Sequence, residues 1–336
     1  MSMNFEKDLR EQIIQLLKED KVKFNKQDSI SRLLISYLNV LNRRILVKKR
    51  KVFMSDNIKK IIEGNKLHKK YIDALLKFKS NFENGIDMNG HLSANIYYSN
   101  LSVKNRKKPI YRKSRDYLLD DWGIYHIHLR DKDAKNEKEM HSNKNDKEKG
   151  NRSEYLLFVK ITNTNVYFID ILNHNEKNVF AKQELLETLD RNWHFLLEKY
   201  MLSDVISVND RLTDEEIYQA RKSGSLIFYQ INDKVYSCIG GGLTTAGTNI
   251  MHTMRADNIL DDMYFIEEYF RNNYTSIKNE VVDITGIKCF NKDLEFKFFL
   301  DAKGYVVKEV NTNYAALYFY EEDYLKKRVG IIKDKY

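Results

Sequence analysis

Cysteine is scarce in this chain: Cys238 and Cys289 are the only two. They could pair with each other, but they are too few for a disulfide framework or a cysteine-based zinc site. Both are expected to be reduced thiols of a cytoplasmic protein. Proline is reduced to Pro109, which together with abundant Lys, Asn, Ile and Tyr carries the mark of AT-rich coding. That speaks to origin rather than function. No run approaches the roughly 20 uncharged apolar residues that a membrane span needs. The most apolar early stretch, residues 33–47, is broken by Asn39, Asn42, Arg43 and Arg44 and reads as an amphipathic helix. Residues 1–6 lack the apolar core of a secretion signal. No membrane partner is expected.

Against these absences stand 42% hydrophobic and 12% aromatic residues, enough for buried cores and too many for wholesale disorder. A length of 336 residues exceeds what one small core organises, so two or three domains are expected. The net charge of +9 is unevenly placed. Residues 1–113 hold 26 Lys and Arg against 11 Asp and Glu, whereas the remainder holds 31 against 37. A basic first third points to a polyanionic partner, with nucleic acid, and RNA in particular, the first candidate. Solvated lysine-rich helices are the competing explanation. The densest cluster, Arg43, Arg44, Lys48, Lys49, Arg50 and Lys51, is the expected nucleic-acid contact.

Periodicity predicts an α+β fold in three consecutive parts. Residues 1–113 read as a basic helical region, with Phe5, Leu9, Ile13, Leu16 and Leu17 at helical spacing, then Ile30, Leu33, Leu34, Tyr37, Leu38 and Leu41. Asp28 or Ser29, and Ser55 or Asp56, are candidate caps. Residues 114–200 read as a small antiparallel sheet core with flanking helices. Its strands are expected over 123–130, 154–162 and 166–172, with a hairpin at Asn163, Thr164 and Asn165 and a helix over 180–200. The polar tract 131–151 is expected to be an exposed, mobile insertion. Residues 201–336 read as an α+β domain containing a helix behind Thr213, a hairpin turning at Asn232 and Asp233, a glycine-rich loop, a helix over 250–272 and strands within 281–320.

The strand over 123–130 carries the most informative pattern. Side chains alternate between the faces of a strand, so Tyr125, Ile127 and Leu129 share one face while His126, His128 and Arg130 share the other. Two imidazoles about 7 Å apart along a strand suit two chemistries. One is metal-free RNA cleavage, in which one histidine takes the 2′-hydroxyl proton, the other protonates the leaving oxygen, and arginine stabilises the phosphoryl charge. The other is a divalent metal held by His126, His128, His174 and Asp170. Arg152 before the second strand and His174 after the third are positioned to return to the same patch. Polar residues on a solvated sheet face are the alternative without chemistry.

The run of helices, residues 122–130, the Arg152-Ser153-Glu154-Tyr155 strand and the 166–174 strand ending in His174 resembles the core of RelE/HigB-type ribosome-dependent mRNA interferases. The likeness covers residues 114–200. It implies a small antiparallel sheet that cleaves RNA without metal, with Arg130 as the basic residue ending one strand, Arg152 or Tyr155 on the next, and His174 as the late catalytic group. The polar insertion and the His-x-His pair depart from the family's pattern.

A second constellation is the loop from Gly240 to Thr248 ahead of a helix. Glycines let backbone amides approach an anion, and a helix N-terminus favours negative charge. Gly241, Gly242, Thr244, Thr245 and Thr248 are therefore candidate phosphate contacts, although neither a Walker A nor a dinucleotide fingerprint is present. Asp120 and Asp121 could assist a metal. His68, His141 and His194 read as surface or packing residues.

The expectation is thus a cytoplasmic RNA-cleaving toxin or phage-defence effector, with His126, His128, Arg130, Arg152 and His174 as catalytic residues and no cofactor. A metal-dependent nuclease or hydrolase is the first rival. A non-catalytic nucleic-acid-binding or sensor component of a defence complex is the second. An antitoxin or a defence-complex subunit is the protein partner either role would need.

Overall fold

The computed structural model describes residues 3–97, 116–130, 153–205, 207, 211–237, 239–244, 247–287, 293–321 and 324–331. The polar tract 131–151, Arg152, Thr245 and both cysteines lie outside the described residues. The chain opens with α1 (Phe5–Glu19), α2 (Ile30–Arg43), β1 (Lys51–Met54), α3 (Asp56–Glu63) and α4 (Lys69–Asn84). Then come α5 (Tyr117–Trp122), β2 (Ile124–His128), β3 (Tyr155–Ile161), β4 (Asn165–Asn173) and α6 (Glu184–Trp193). The next elements are α7 (Asp214–Ser223), β5 (Phe228–Ile231), β6 (Lys234–Ser237), α8 (Ile250–Asn272) and α9 (Tyr274–Thr285). A meander closes the chain: β7 (Phe296–Asp301), β8 (Gly304–Glu309), β9 (Tyr314–Glu321) and β10 (Tyr324–Ile331). The fold is α+β. Among the described residues no helix is long and apolar enough to cross a membrane.

The elements form two compact units, one of residues 39–252 and one of residues 1–38 with 253–336. These units differ from the three consecutive segments expected from the sequence. The reason is visible in β1, which pairs in parallel with β4 and so ties the basic early region into the middle sheet. The strand order is β1-β4-β3-β2, with β2, β3 and β4 antiparallel as expected and β1 making the sheet mixed.

Both faces of this sheet are covered. Ile127, Leu129, Leu157, Val159, Val166 and Phe168 pack with Ile58 of α3 and with Tyr71, Leu75, Phe78 and Phe82 of α4. On the opposite face Ile124, Leu156, Phe158 and Ile169 pack with Leu185, Leu186 and Leu189 of α6, Ile217 of α7 and the β5–β6 hairpin. Burial on both sides explains the unbroken apolar run from Val166 to Ile169 in β4. Local signals fix the helix starts. Ser55 Oγ accepts from Ile58 N at 3.1 Å, and Thr213 with Glu216 forms a reciprocal capping box. The helix expected over 180–200 is shorter, because 3₁₀ turns at Val179–Ala181, His194–Leu196 and Glu198–Tyr200 flank α6.

In the other unit β7 to β10 form an antiparallel meander. The edge strand β7 is covered by α1. Asp8 accepts from Phe298 N at 3.1 Å, while Gln12 both accepts from Leu300 N at 2.8 Å and donates to Leu300 O at 2.9 Å. These side chains satisfy backbone groups that an exposed edge would offer to another strand. Glu309 is fully buried, but its carboxylate accepts from the backbone amides of Glu295, Asn311 and Thr312 and from the Thr312 hydroxyl. Such saturation makes it a structural carboxylate.

Candidate active site

The strand bearing the histidines is positioned by the short helix before it. Asp116 caps α5, its Oδ1 accepting from Leu119 N at 3.1 Å, and Gly123 ends the helix in the left-handed region at φ 62°. The reversal sends the chain into β2, where His126 pairs with Phe158 and His128 with Leu156. Because Ile124, Phe158 and Leu156 belong to the core beneath α6, alternation places His126 and His128 on that same face. They are therefore not residues of a solvated sheet face. His126 is 8% and His128 9% exposed.

His174 reaches them from the end of β4, where its backbone N–H donates to Glu154 O at 2.7 Å. The His126 and His128 rings are 6.1 Å apart, and His128 stacks on His174 with centroids 5.7 Å apart and planes 27° apart. Phe180 lies over the group, 4.9 Å from the His126 ring and 6.1 Å from His174. Asp116 Oδ2 stands 3.5 Å from His126 Nδ1. Three imidazoles, one carboxylate and an aromatic cover thus meet at one corner of the sheet. His174, half-buried, is the most accessible imidazole of the three.

Other residues expected at this patch are placed elsewhere. Arg130 lies beyond the end of β2, and its backbone N–H turns back to His128 O at 2.9 Å, which breaks the strand alternation. Its guanidinium donates to the carbonyls of Gly90 and Leu92. Leu92 belongs to the core on the Ile127 face, so Arg130 straps that side instead of facing phosphate beside the histidines. Asp170 is buried and accepts from Asn57 Nδ2 at 2.7 Å. Burial pushes its carboxyl above the ordinary carboxylate range. Among the described residues no three His, Cys, Asp or Glu are grouped to hold a metal ion. Arg152 lies outside the described residues.

The glycine-rich loop is a packing element. Gly240 N donates to Asp121 O at 2.7 Å, and Gly242 N to Asp120 O at 3.1 Å, docking the loop on the end of α5. A Cβ on Gly240 would fall 2.4 Å from Gly123 N and 2.5 Å from Leu119 O, so only glycine fits there. Thr244 and Thr248 bond each other, backbone to backbone at 2.8 Å and hydroxyl to hydroxyl at 2.8 Å. The amides of Gly242, Thr244, Gly247 and Thr248 are all engaged within the protein. Asn249 caps α8, accepting from Met251 N and His252 N. The arrangement therefore leaves few of the amides that an anion cradle requires, and Thr245 lies outside the described residues. Gly241 adopts φ 107°, with Asn249 filling the space beside it.

The basic cluster divides. Arg43 and Arg50 are buried, and Arg50 donates to the carbonyls of Thr162 and Leu46. Lys48, Lys49, Arg50 and Lys51 line a groove at the open side of β1, together with Phe53, which is 41% exposed and whose ring stacks on Tyr167 at 5.3 Å. Lys49 and Lys51 are exposed there, Lys48 is half-buried and donates to Asn163 Oδ1, and Glu83 also lines the groove. The register puts this groove beside Asn165 at the start of β4, whereas His174 follows the end of that strand.

Sequence reasoning missed two supporting residues, Arg221 and Tyr229. Asp121, named above as a possible aide to a metal, is a buried partner of Arg221, with Arg221 Nε donating to its Oδ2 at 2.7 Å. Tyr229 donates its hydroxyl to the same oxygen. Burial, followed by the Asp121 charge, holds that phenol well above its ordinary range. Arg221 also lies over the Trp122 ring at 4.1 Å and donates to the carbonyl of Phe180, the residue covering the histidines. The arginine in α7 carries no sequence signal for a partner a hundred residues away. Comparison with protein-family models, curated proteins and solved structures found no match to this chain.

Proposed function

We propose that the chain is a metal-independent RNA-cleaving enzyme, acting as a cytoplasmic toxin or phage-defence effector. The observation carrying this reading is the convergence of His126 and His128, both on β2, with His174 just after the end of β4. In the proposed reaction the RNA 2′-oxygen attacks the adjacent phosphorus and the P–O5′ bond breaks. One imidazole takes the 2′-hydroxyl proton, and a protonated imidazole returns a proton to the departing 5′-oxygen. His128 and His174 are the acid–base pair, since they stack and His174 is the accessible member. His126, whose Nδ1 stands 3.5 Å from Asp116 Oδ2, is the positioning residue. Arg152 is the proposed phosphate-stabilising cation. This reading agrees with the likeness of residues 114–200 to RelE/HigB-type interferases, and an antitoxin or defence-complex subunit would be the matching partner.

The test is cleavage of a defined RNA by the full chain in the presence of a chelator, alongside growth and RNA integrity in an expressing bacterium. His174→Ala and the His126→Ala/His128→Ala pair should lower the cleavage rate by about 10²–10⁴-fold, the usual contribution of general acid–base groups. Arg152→Ala should lower it with folding unaffected. Folded variants that cleave like the wild type would sink the proposal. Wild-type protein that binds RNA in a salt-sensitive manner without turnover would replace it with a binding role.

A further inference from the structure

A larger cavity, of about 780 Å³, opens at the other end of strands β2 and β3. Lys160 in its wall pairs with Ile124, four positions along β3 from Leu156, the partner of His128. Four residues of strand span about 13 Å, so this cavity is a separate place from the histidine cluster. Its volume lies within the roughly 300–1,000 Å³ range of small-molecule sites and far exceeds the room a bare inorganic ion occupies.

The lining has a consistent chemistry. Two lysines, Lys160 and Lys199, face the cavity, and no Asp or Glu is among its described lining residues. Lys160 donates to Trp122 O at 2.9 Å. Burial, and then the nearby Lys199 charge, push the Lys160 amine down to about 7. Two lysines lining one cavity with no carboxylate among its described lining residues are an arrangement that a bound anion would relieve. Apolar and aromatic surface completes the walls: Tyr200 lines the cavity, and Phe195 and Met251, each 57% exposed, stand at its rim.

We propose that this cavity binds a nucleotide, a small molecule with a phosphate head between Lys160 and Lys199 and an aromatic base against the Phe195 and Tyr200 rings. The head answers two lysines that meet no carboxylate among the described lining residues, and the base answers aromatic surface that an inorganic anion would leave open to water. The site is independent of the histidine chemistry.

Calorimetric titration of the full chain with ADP tests the assignment, with adenosine and inorganic phosphate as separate arms. ADP should bind, and each half-ligand should bind at least tenfold more weakly. Lys199→Met, at an exposed position where the ammonium stands 4.8 Å over the Tyr200 ring, should weaken ADP at least tenfold, with its fold checked in the same way as for Lys160→Met. Lys160→Met should do the same, with its fold checked by circular dichroism because Lys160 also holds the Trp122 carbonyl. His174→Gln should leave ADP binding unchanged. Absence of ADP binding to the folded wild type, an unchanged affinity in Lys199→Met, or phosphate alone binding as tightly as ADP would each overturn the proposal.

Discussion

Replacing Arg221 with methionine tests how the covered face of the middle sheet is held together. The guanidinium is 2% exposed by residue and contacts Asp121, the Phe180 carbonyl and the Trp122 ring. Its removal leaves the Asp121 carboxylate buried with Tyr229 as its side-chain donor. Breaking a buried pair in this way costs about 3–5 kcal/mol, a large part of the roughly 5–15 kcal/mol by which a domain is stable. Removing both charges and the hydroxyl, as Asp121→Leu/Arg221→Met/Tyr229→Phe, leaves no charge to strand. That variant should unfold within about 1–2 kcal/mol of the wild type, since apolar replacement of buried pairs is often neutral or stabilising. Both tryptophans, Trp122 and Trp193, lie in the 39–252 unit, so their fluorescence reports its unfolding in urea. A loss below about 1 kcal/mol in Arg221→Met, or a triple variant less stable than the single one, would refute this reasoning. Freeing the Phe180 carbonyl should also shift the side-chain resonances of His126 and His174.

Gly240→Ala should destabilise the same unit by about 3 kcal/mol or more, because the new Cβ meets backbone atoms at 2.4 and 2.5 Å; a near-neutral result in urea titration would show that the loop is not packed on α5. His252 is half-buried, and burial followed by the Arg43 charge lowers its pKa to about 4. The folded state therefore binds fewer protons than the unfolded state between about pH 4 and 6.5. Stability should be unaffected by this group above pH 6.5, fall as pH drops through that window by an amount on the order of 3 kcal/mol, and level off below it. Removing the imidazole in His252→Gln should flatten the pH profile, and an unchanged profile would exclude this group as the source. Exchanging Lys48, Lys49 and Lys51 for glutamine should weaken RNA binding and lower its salt dependence by up to about three charges' worth of slope, while leaving the saturated cleavage rate unchanged. A salt slope equal to the wild type would remove the β1 groove as a contact.

Much of the secondary structure could be read from pattern alone. The helical spacing of Phe5, Leu9 and Ile13 and the alternation around Ile127 placed α1 and β2, since each face must find a core. Ser55 and Thr213 announced their helices because a side-chain oxygen satisfies orphan amides locally. Strand β1 could not be found in this way. Four residues ending in three consecutive apolar ones, Val52, Phe53 and Met54, show no alternation in sequence, and the strand exists because β4 offers it a parallel edge.

The histidine pair and its shared strand face were likewise determined by the sequence, because alternation along a strand depends only on the backbone. Which way that face looks was decided by tertiary structure, through Phe180 and α6 covering it. The same holds for the meeting of His174 with His128, for the turning of Arg130 to the Gly90 and Leu92 carbonyls, and for Asp121 finding Arg221. Local patterns fix which residues share a face. Partners distant in sequence are fixed only when the sheet and its covering helices bring them together, because burial and hydrogen-bond satisfaction act on the whole packed unit.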